Sequence, residues 1–208
     1  MLNDKKFENK SIRLKGYDYN LPGAYFVTIC LKDRKCLFGR IVKEEMILSD
    51  FGRIAKDCWI SIPTHFENAE VGSFVVMPNH IHGIIILLET KPVGQTQAFD
   101  SLRHALDLQD KSQTDLMYSR LSTVIGSYKS AVTKDINLKG KQNDFKWQTS
   151  FHDHIIRNEK ELHNIADYII QNPAMWNEDF ENQAFRAILT DAEREKLLKN
   201  VYRKLSYN

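Results

Sequence analysis

The stretch EVGSFVVMPNHIHGIIILL, residues 70–88, decides how this chain folds. Two runs rich in Val, Ile and Phe flank Pro78-Asn79. They read as two strands, Glu70–Met77 and His80–Leu88, joined by a short link into a hairpin. Along an extended strand side chains alternate, so His80 and His82 share one face and Ile81 takes the other. Upstream, Ala24–Leu31 (AYFVTICL) follows Pro22-Gly23 and reads as a further strand. The turn Lys32–Lys35 then leads into a short hairpin, Cys36–Val42 with Glu45–Leu48. Ser49 or Asp50 can cap a helix that runs to about Ile62 and stops at Pro63.

Downstream of the histidines, Leu121, Val124, Ile125, Tyr128, Val132 and Ile136 recur at helical spacing. Phe145–Phe151 reads as a closing strand. A helix over Glu159–Gln171 is capped by Asn158 and ended by Asn172-Pro173, and a last one over Asp191–Leu205 is capped by Thr190. Residues 89–118 carry weak periodicity and read as a long connection, and residues 1–20 as a polar, basic arm. This order predicts an α+β fold: a ferredoxin-like, mostly antiparallel sheet with helices packed on one face, plus C-terminal helices.

The 208 residues carry 29 Lys+Arg against 27 Asp+Glu, a balance that on its own does not point to nucleic acid. Divided along the chain, the charge is uneven. Residues 1–43 hold ten basic against four acidic side chains, and residues 121–160 hold seven against four. The intervening residues 44–120 are acidic, six against eleven, and residues 161–208 hold six against eight. Two basic segments can meet as one phosphate-binding face, or they can simply be solvated surface. The N-terminal MLNDKKFENK has no apolar run, so no signal peptide is expected, and no stretch approaches a membrane span. Cys30, Cys36 and Cys58 form no CxxC, which fits a reducing, cytoplasmic setting and argues against a cysteine zinc site.

Two imidazoles on one strand face make half of a divalent-metal site, and they are equally two polar positions at a strand start. The next same-face position is Ile84, which excludes a third histidine in that row. Tyr128, within Ser127-Tyr128-Lys129-Ser130, is a candidate nucleophile toward phosphate. It also lies on the apolar stripe of its helix, where a tyrosine is ordinarily core. Periodicity does not separate these two readings.

Together, Met77-Pro78-Asn79-His80-Ile81-His82 and Gly126-Ser127-Tyr128-Lys129-Ser130 resemble the single-tyrosine HUH transposases, U being a hydrophobic residue. Further blocks resemble the branch called REP-associated tyrosine transposases: Gly23–Thr28, Trp147-Gln148, Phe151–Glu159 and Tyr168-Ile169-Ile170-Gln171-Asn172-Pro173. The resemblance spans roughly residues 15–176. It implies a metal-dependent nuclease and strand transferase acting on single-stranded DNA beside a hairpin or palindrome, soluble, nucleoid-associated and monomeric rather than dimeric. It also implies that His80 and His82 hold Mg²⁺ or Mn²⁺ and that Tyr128 forms a 5′-phosphotyrosine. Residues 1–158 would then be the catalytic domain, with its arm and the connection 89–118, and residues 159–208 a helical extension of it.

In the insertion-sequence relatives a Gln four residues after the tyrosine completes the metal site; here that position is Val132, which cannot ligate. The third ligand is therefore expected elsewhere. Asp135, Gln148, His152, Asp153 and His154 are the candidates, the His152–His154 segment being favoured and Asp153 and His154 the expected ligands. For DNA the expected contacts are the basic arm (Lys5, Lys6, Lys10, Arg13, Lys15), the turn Lys32, Arg34 and Lys35, and Lys129, Lys134 and Arg157. Tyr17, Tyr19 and Trp147 are candidates for stacking unpaired bases. Two alternatives stay open at this point: a hairpin-DNA-binding protein that keeps the fold without cleaving, and a metal-dependent phosphohydrolase in which Tyr128 is structural.

Overall fold

A computed structural model describes residues 17–89, 119–140, 144–194 and 196–197. Four strands form the central sheet: β1 (Gly23–Cys30), β4 (Ala69–Val76), β5 (His80–Leu87) and β6 (His152–Ile156). Their order is β4-β5-β1-β6 with every neighbour antiparallel. Helix α1 (Asp50–Ile60) links β1 to β4, and α3 (Arg120–Leu138) precedes β6, which completes the expected ferredoxin-like α+β arrangement. The hairpin of β2 (Gly39–Val42) and β3 (Glu45–Leu48) stands apart as its own two-stranded sheet. It turns through Lys43 and Glu44, both at positive φ, as a tight two-residue hairpin turn requires.

Strand alternation splits the apolar side chains of β1 and β5 into two cores. Tyr25, Val27, Ile29, Ile81 and Ile85 face α1 and α3, where they meet Ile54, Ala55, Trp59, Val124, Ile125, Tyr128 and Val132. Phe26 and Ile84 face the other way, onto Ile165 and Ile169 of α4 (Glu159–Gln171). The expected helical layer on one face is thus α1 with α3, and the first C-terminal helix covers the opposite face. Because β5 is sandwiched, it reads in the sequence as one nearly unbroken apolar run.

Gly83 shows how tightly the first layer sits. A Cβ there would lie 2.3 Å from Trp59 Cζ2. The indole is fully buried, stacked on Phe74 at 5.8 Å and edge-on to Tyr128 at 5.2 Å, so it has no room to retreat. Gly83→Ala is therefore expected to destabilise the fold by about 1–3 kcal/mol, as overpacking does, read as a lower urea midpoint with an unchanged slope.

Local signals place most elements. Ser49 caps α1 by accepting from Gly52 N, and Asn158 caps α4 by accepting from Glu161 N at 2.8 Å. Pro63 does not end the helical stretch as expected; it sits in the first turn of a second short helix, α2 (Ile62–His65), where a missing N–H costs nothing. The closing strand is His152–Ile156 rather than Phe145–Phe151. In the latter, Phe145 and Trp147 pack on Phe38 at 6.0 and 5.6 Å, and only Trp147 bridges the sheet, at Leu31. A short helix α5 (Gln183–Ile188) follows α4. Thr190 opens the last helix through a reciprocal bond with Glu193, and its expected continuation to Leu205 falls largely outside the described residues. The arm and the connection 90–118 lie outside them as well. Among the described residues no helix is long and apolar enough to cross a membrane.

Candidate metal and nucleophile site

His80 and His82 project from β5 toward α4, their rings 4.4 Å apart, His80 fully buried and His82 nearly so. The orientation of His80 is set by its neighbour. The Asn79 amide nitrogen donates to Glu181 O at 2.8 Å and to Arg34 O at 3.1 Å. Its carbonyl oxygen therefore faces His80 Nδ1, at 2.8 Å, and Nδ1 must carry the proton. That leaves the Nε2 lone pair facing Asp179 Oδ2 at 3.6 Å. Neither atom has a hydrogen-bond partner. On the other ring, Thr28 Oγ1 holds His82 Nδ1 at 2.9 Å, so its Nε2 turns toward the same space.

One ligand atom from each of His80, His82 and Asp179 lies within 4.8 Å of the others, all three residues buried. Burial pushes the histidines down, His80 to about 4 and His82 to about 3, so both are neutral at pH 7 and their lone pairs are available. Burial also raises the Asp179 carboxyl above its usual value. Buried ligand atoms that converge this closely fit a divalent cation, and the Nδ1 partners Asn79 and Thr28 are the supports a ligating imidazole needs.

Tyr168 enters the same space from α4. Its hydroxyl lies 3.5 Å from His82 Nε2, with the rings 5.4 Å apart and Phe26 edge-on to the phenol at 6.0 Å. Ile165 and Ile169 anchor this helix face to the sheet. Four residues on, one turn along the same face, Asn172 is buried and its Oδ1 has no hydrogen-bond partner. Glu161 locks the start of α4 by binding His154 Nε2 and Arg157 N, both at 2.7 Å.

The expected nucleophile, Tyr128, is not brought to the histidines. It belongs to the core between α3 and the opposite sheet face, where its hydroxyl donates to Ala55 O at 3.0 Å and burial pushes the phenol well above its usual value. Neither Asp153 nor His154 joins the metal group. Asp153 pairs in register with Val27, on the Tyr128 side of the sheet. His154 shares the histidine face, one position beyond His152, and is engaged by Glu161. Asp135 accepts from Cys58 Sγ, and the Gln148 amide nitrogen lies 3.5 Å from Leu31 O. His152 stands nearest of these, in one row with Thr28 and His82, and burial lowers it too.

Of the expected DNA contacts, Lys32, Lys35, Lys134 and Arg157 are exposed. Lys129 spends its ammonium on Gln148 O and Ser150 O at 3.0 and 3.2 Å, and burial lowers it to about 8. Arg34 is paired with Glu181 at 2.7 Å. Arg13, Lys15 and the arm lysines lie outside the described residues. Tyr19 is buried, and Trp147 donates to Lys129 O at 3.1 Å.

Three site residues were not singled out in the sequence. Tyr168 and Asn172 lie in the block Tyr168–Pro173, and their spacing of four is the tyrosine–carboxamide spacing missing at Tyr128 and Val132. Asp179 has no local signal.

No family model matches the chain. A curated protein of Haemophilus influenzae (strain ATCC 51907 / DSM 11121 / KW20 / Rd), described as uncharacterized, is 38% identical over 170 residues, covering 82% of this chain and 91% of its own. Among solved structures, a REP-associated tyrosine transposase bound to a REP hairpin aligns with a TM-score of 0.50 at 20% identity, over 78% of this chain and 73% of that one. A Deinococcus radiodurans R1 protein, described as a transposase candidate, aligns with a TM-score of 0.38 at 18% identity over 77% of this chain and 96% of that one. The chain therefore belongs to one family with the Haemophilus protein, and it has the fold of the REP-associated tyrosine transposases its sequence resembles.

Proposed function

We propose that this protein is a metal-dependent transposase that cleaves and rejoins single-stranded DNA beside a hairpin, with Tyr168 as nucleophile. The observation that carries this reading is the meeting of the Tyr168 hydroxyl, 3.5 Å from His82 Nε2, with the His80, His82 and Asp179 ligand atoms in one buried space. The neighbour of the same fold is bound to a REP hairpin, which supports DNA as the substrate class. His80 and His82 would hold the ion, and Asn172 supplies a carboxamide at the spacing where the relatives carry Gln. A bound dication would polarise the scissile phosphate as a Lewis acid.

The chemistry of the chain itself is a transesterification. The Tyr168 oxygen loses its proton and attacks phosphorus, the P–O3′ bond breaks, and the departing 3′-oxygen takes up a proton. A 5′-phosphotyrosine and a free 3′-hydroxyl result. Another 3′-hydroxyl reverses the step, and since one phosphoester replaces another, no external energy is needed. Asn79 keeps His80 in the ligating tautomer, and Thr28 fixes the orientation of the His82 ring. Lys32 and Lys35, exposed on the turn that Arg34 ties to the site, would meet backbone phosphates, Lys35 exchanging its ion pair with Asp144 at 3.4 Å. On this reading the catalytic unit continues past residue 158, because α4 carries the nucleophile.

The test is incubation with labelled hairpin oligonucleotides bearing randomised single-stranded flanks, in Mn²⁺ and in chelator. The expected result is a denaturant-resistant protein–DNA adduct that chelator abolishes. Salt-sensitive binding of the pool with no adduct under any metal would replace this reading with a binding-only role.

A further inference from the structure

We propose that Asp179 turns the histidine pair into a two-histidine, one-carboxylate centre that selects a first-row transition dication over Mg²⁺. The inference rests on the reading of the pair as a metal site and adds which ion it takes and what part of the chain controls it. Asp179 lies beyond Pro173, outside the stretch that carries the family resemblance, where the expected third ligand is a neutral carboxamide.

The carboxylate is presented rather than merely nearby. Glu181 N donates to Asp179 Oδ1 at 2.6 Å, which leaves Oδ2 directed at His80 Nε2. The segment that carries it is tied to the rim of the sheet at three points. Arg34 Nε binds Glu181 Oε2 at 2.7 Å, the Asn79 amide donates to Glu181 O, and Gln183 Nε2 donates to Asp33 O at 2.6 Å. The turn receiving these bonds holds Asp33 and Arg34 at φ of 57° and 49°, a left-handed geometry that non-glycine residues keep only where the surroundings enforce it. Asn79 thus connects both ligands: its oxygen aims His80, and its nitrogen secures the segment that aims Asp179.

The donor set then decides the ion. Imidazole nitrogen suits Mn²⁺ and the later first-row ions, whereas Mg²⁺ prefers an all-oxygen shell with several retained waters. One ligating carboxylate leaves a bound dication with net positive charge, since the buried Glu181 beside it is neutralised by Arg34 at 2.7 Å, and that charge suits an anionic phosphodiester.

Titration of the full chain with Mn²⁺ and with Mg²⁺, by calorimetry and by Mn²⁺ electron paramagnetic resonance without DNA, tests this. One Mn²⁺ per chain is expected, with Mg²⁺ at least about tenfold weaker. Asp179→Asn is expected to weaken Mn²⁺ by at least about tenfold, since loss of mere outer-shell partners already costs that much. Glu178→Gln, at an exposed neighbour, should leave binding unchanged. The wild-type comparison of the two ions stands even if the Asp179 variant does not fold. Equal affinity for Mg²⁺ and Mn²⁺, or Mn²⁺ affinity within twofold in a folded Asp179→Asn protein, would overturn the proposal. A Tyr168-dependent adduct that survives such a result leaves the transposase reading intact, and selective Mn²⁺ binding without any adduct does the reverse.

Discussion

Tyr168→Phe is expected to abolish covalent attachment to DNA, by at least about 10³-fold, while Tyr128→Phe retains it. The two tyrosines are on opposite faces of one sheet. Tyr168 stands over His82, whereas Tyr128 is enclosed by Trp59, Trp147 and the α1 backbone. A phosphodiester positioned by His80 and His82 cannot be reached through the intervening strand. The ring of Tyr128 does core packing, and its hydroxyl makes a single bond to Ala55 O. Tyr128→Phe should therefore cost about 1 kcal/mol of stability, visible as a small shift in the urea midpoint, and leave the adduct yield near wild type. Adduct formation that survives Tyr168→Phe and disappears in a folded Tyr128→Phe protein would move the nucleophile to α3 and require the sheet to rearrange.

In chelator, the stability of the protein is expected to fall steeply as pH drops from about 6.5 toward 4. His80 and His82 are held down at about 4 and about 3 by burial, while an unfolded chain takes up these protons near 6.5. Below that pH the unfolded state binds more protons than the folded one, so stability is full above about 6.5 and is lost as pH falls through the folded values. At about 1.4 kcal/mol per unit, two such groups place several kcal/mol at stake, a large part of an ordinary domain's total. His152, lowered in the same direction, adds to the loss. Asp179 opposes it, because burial favours its protonated form in the folded state. Thermal midpoints at pH 7.5, 6 and 5 in chelator should decline, and His82→Gln should flatten the profile. Added Mn²⁺ should raise the midpoint at all three pH values, because the folded-state imidazoles stay neutral down to about 4. A flat profile in the wild-type protein would mean that the histidines are not buried as described.

The histidine half of the candidate site was legible because it is local. Pro78-Asn79-His80-Ile81-His82 is a strand entry, and a period of two puts both imidazoles on one face whatever surrounds them. The proposed nucleophile was less so, because both amphipathic helices carry a tyrosine on an apolar stripe and only the Tyr168–Asn172 spacing separates them. Tyr128 follows a helical apolar stripe, and Tyr168 sits between Ile165 and Ile169 on another. Which helix lies against the histidine face is settled by how the chain winds around the sheet. The same applies to basic residues: Lys129 and Lys32 look alike in the sequence, yet one bonds two carbonyls and the other is exposed.

From the amino-acid sequence alone follow the α+β order, most strand and helix limits, the caps at Ser49 and Asn158, and the pairing of His80 with His82. All are set by neighbours within a few residues, through side-chain period, capping and turn chemistry. The tertiary structure decided what sequence distance hides. It placed Tyr168 rather than Tyr128 over the pair, and it carried Asp179 across nearly a hundred positions to face His80. Both outcomes depend on which sheet face each later segment covers, and burial of two separate apolar stripes determines that; the local pattern marks Tyr168 only through its spacing to Asn172 and does not mark Asp179.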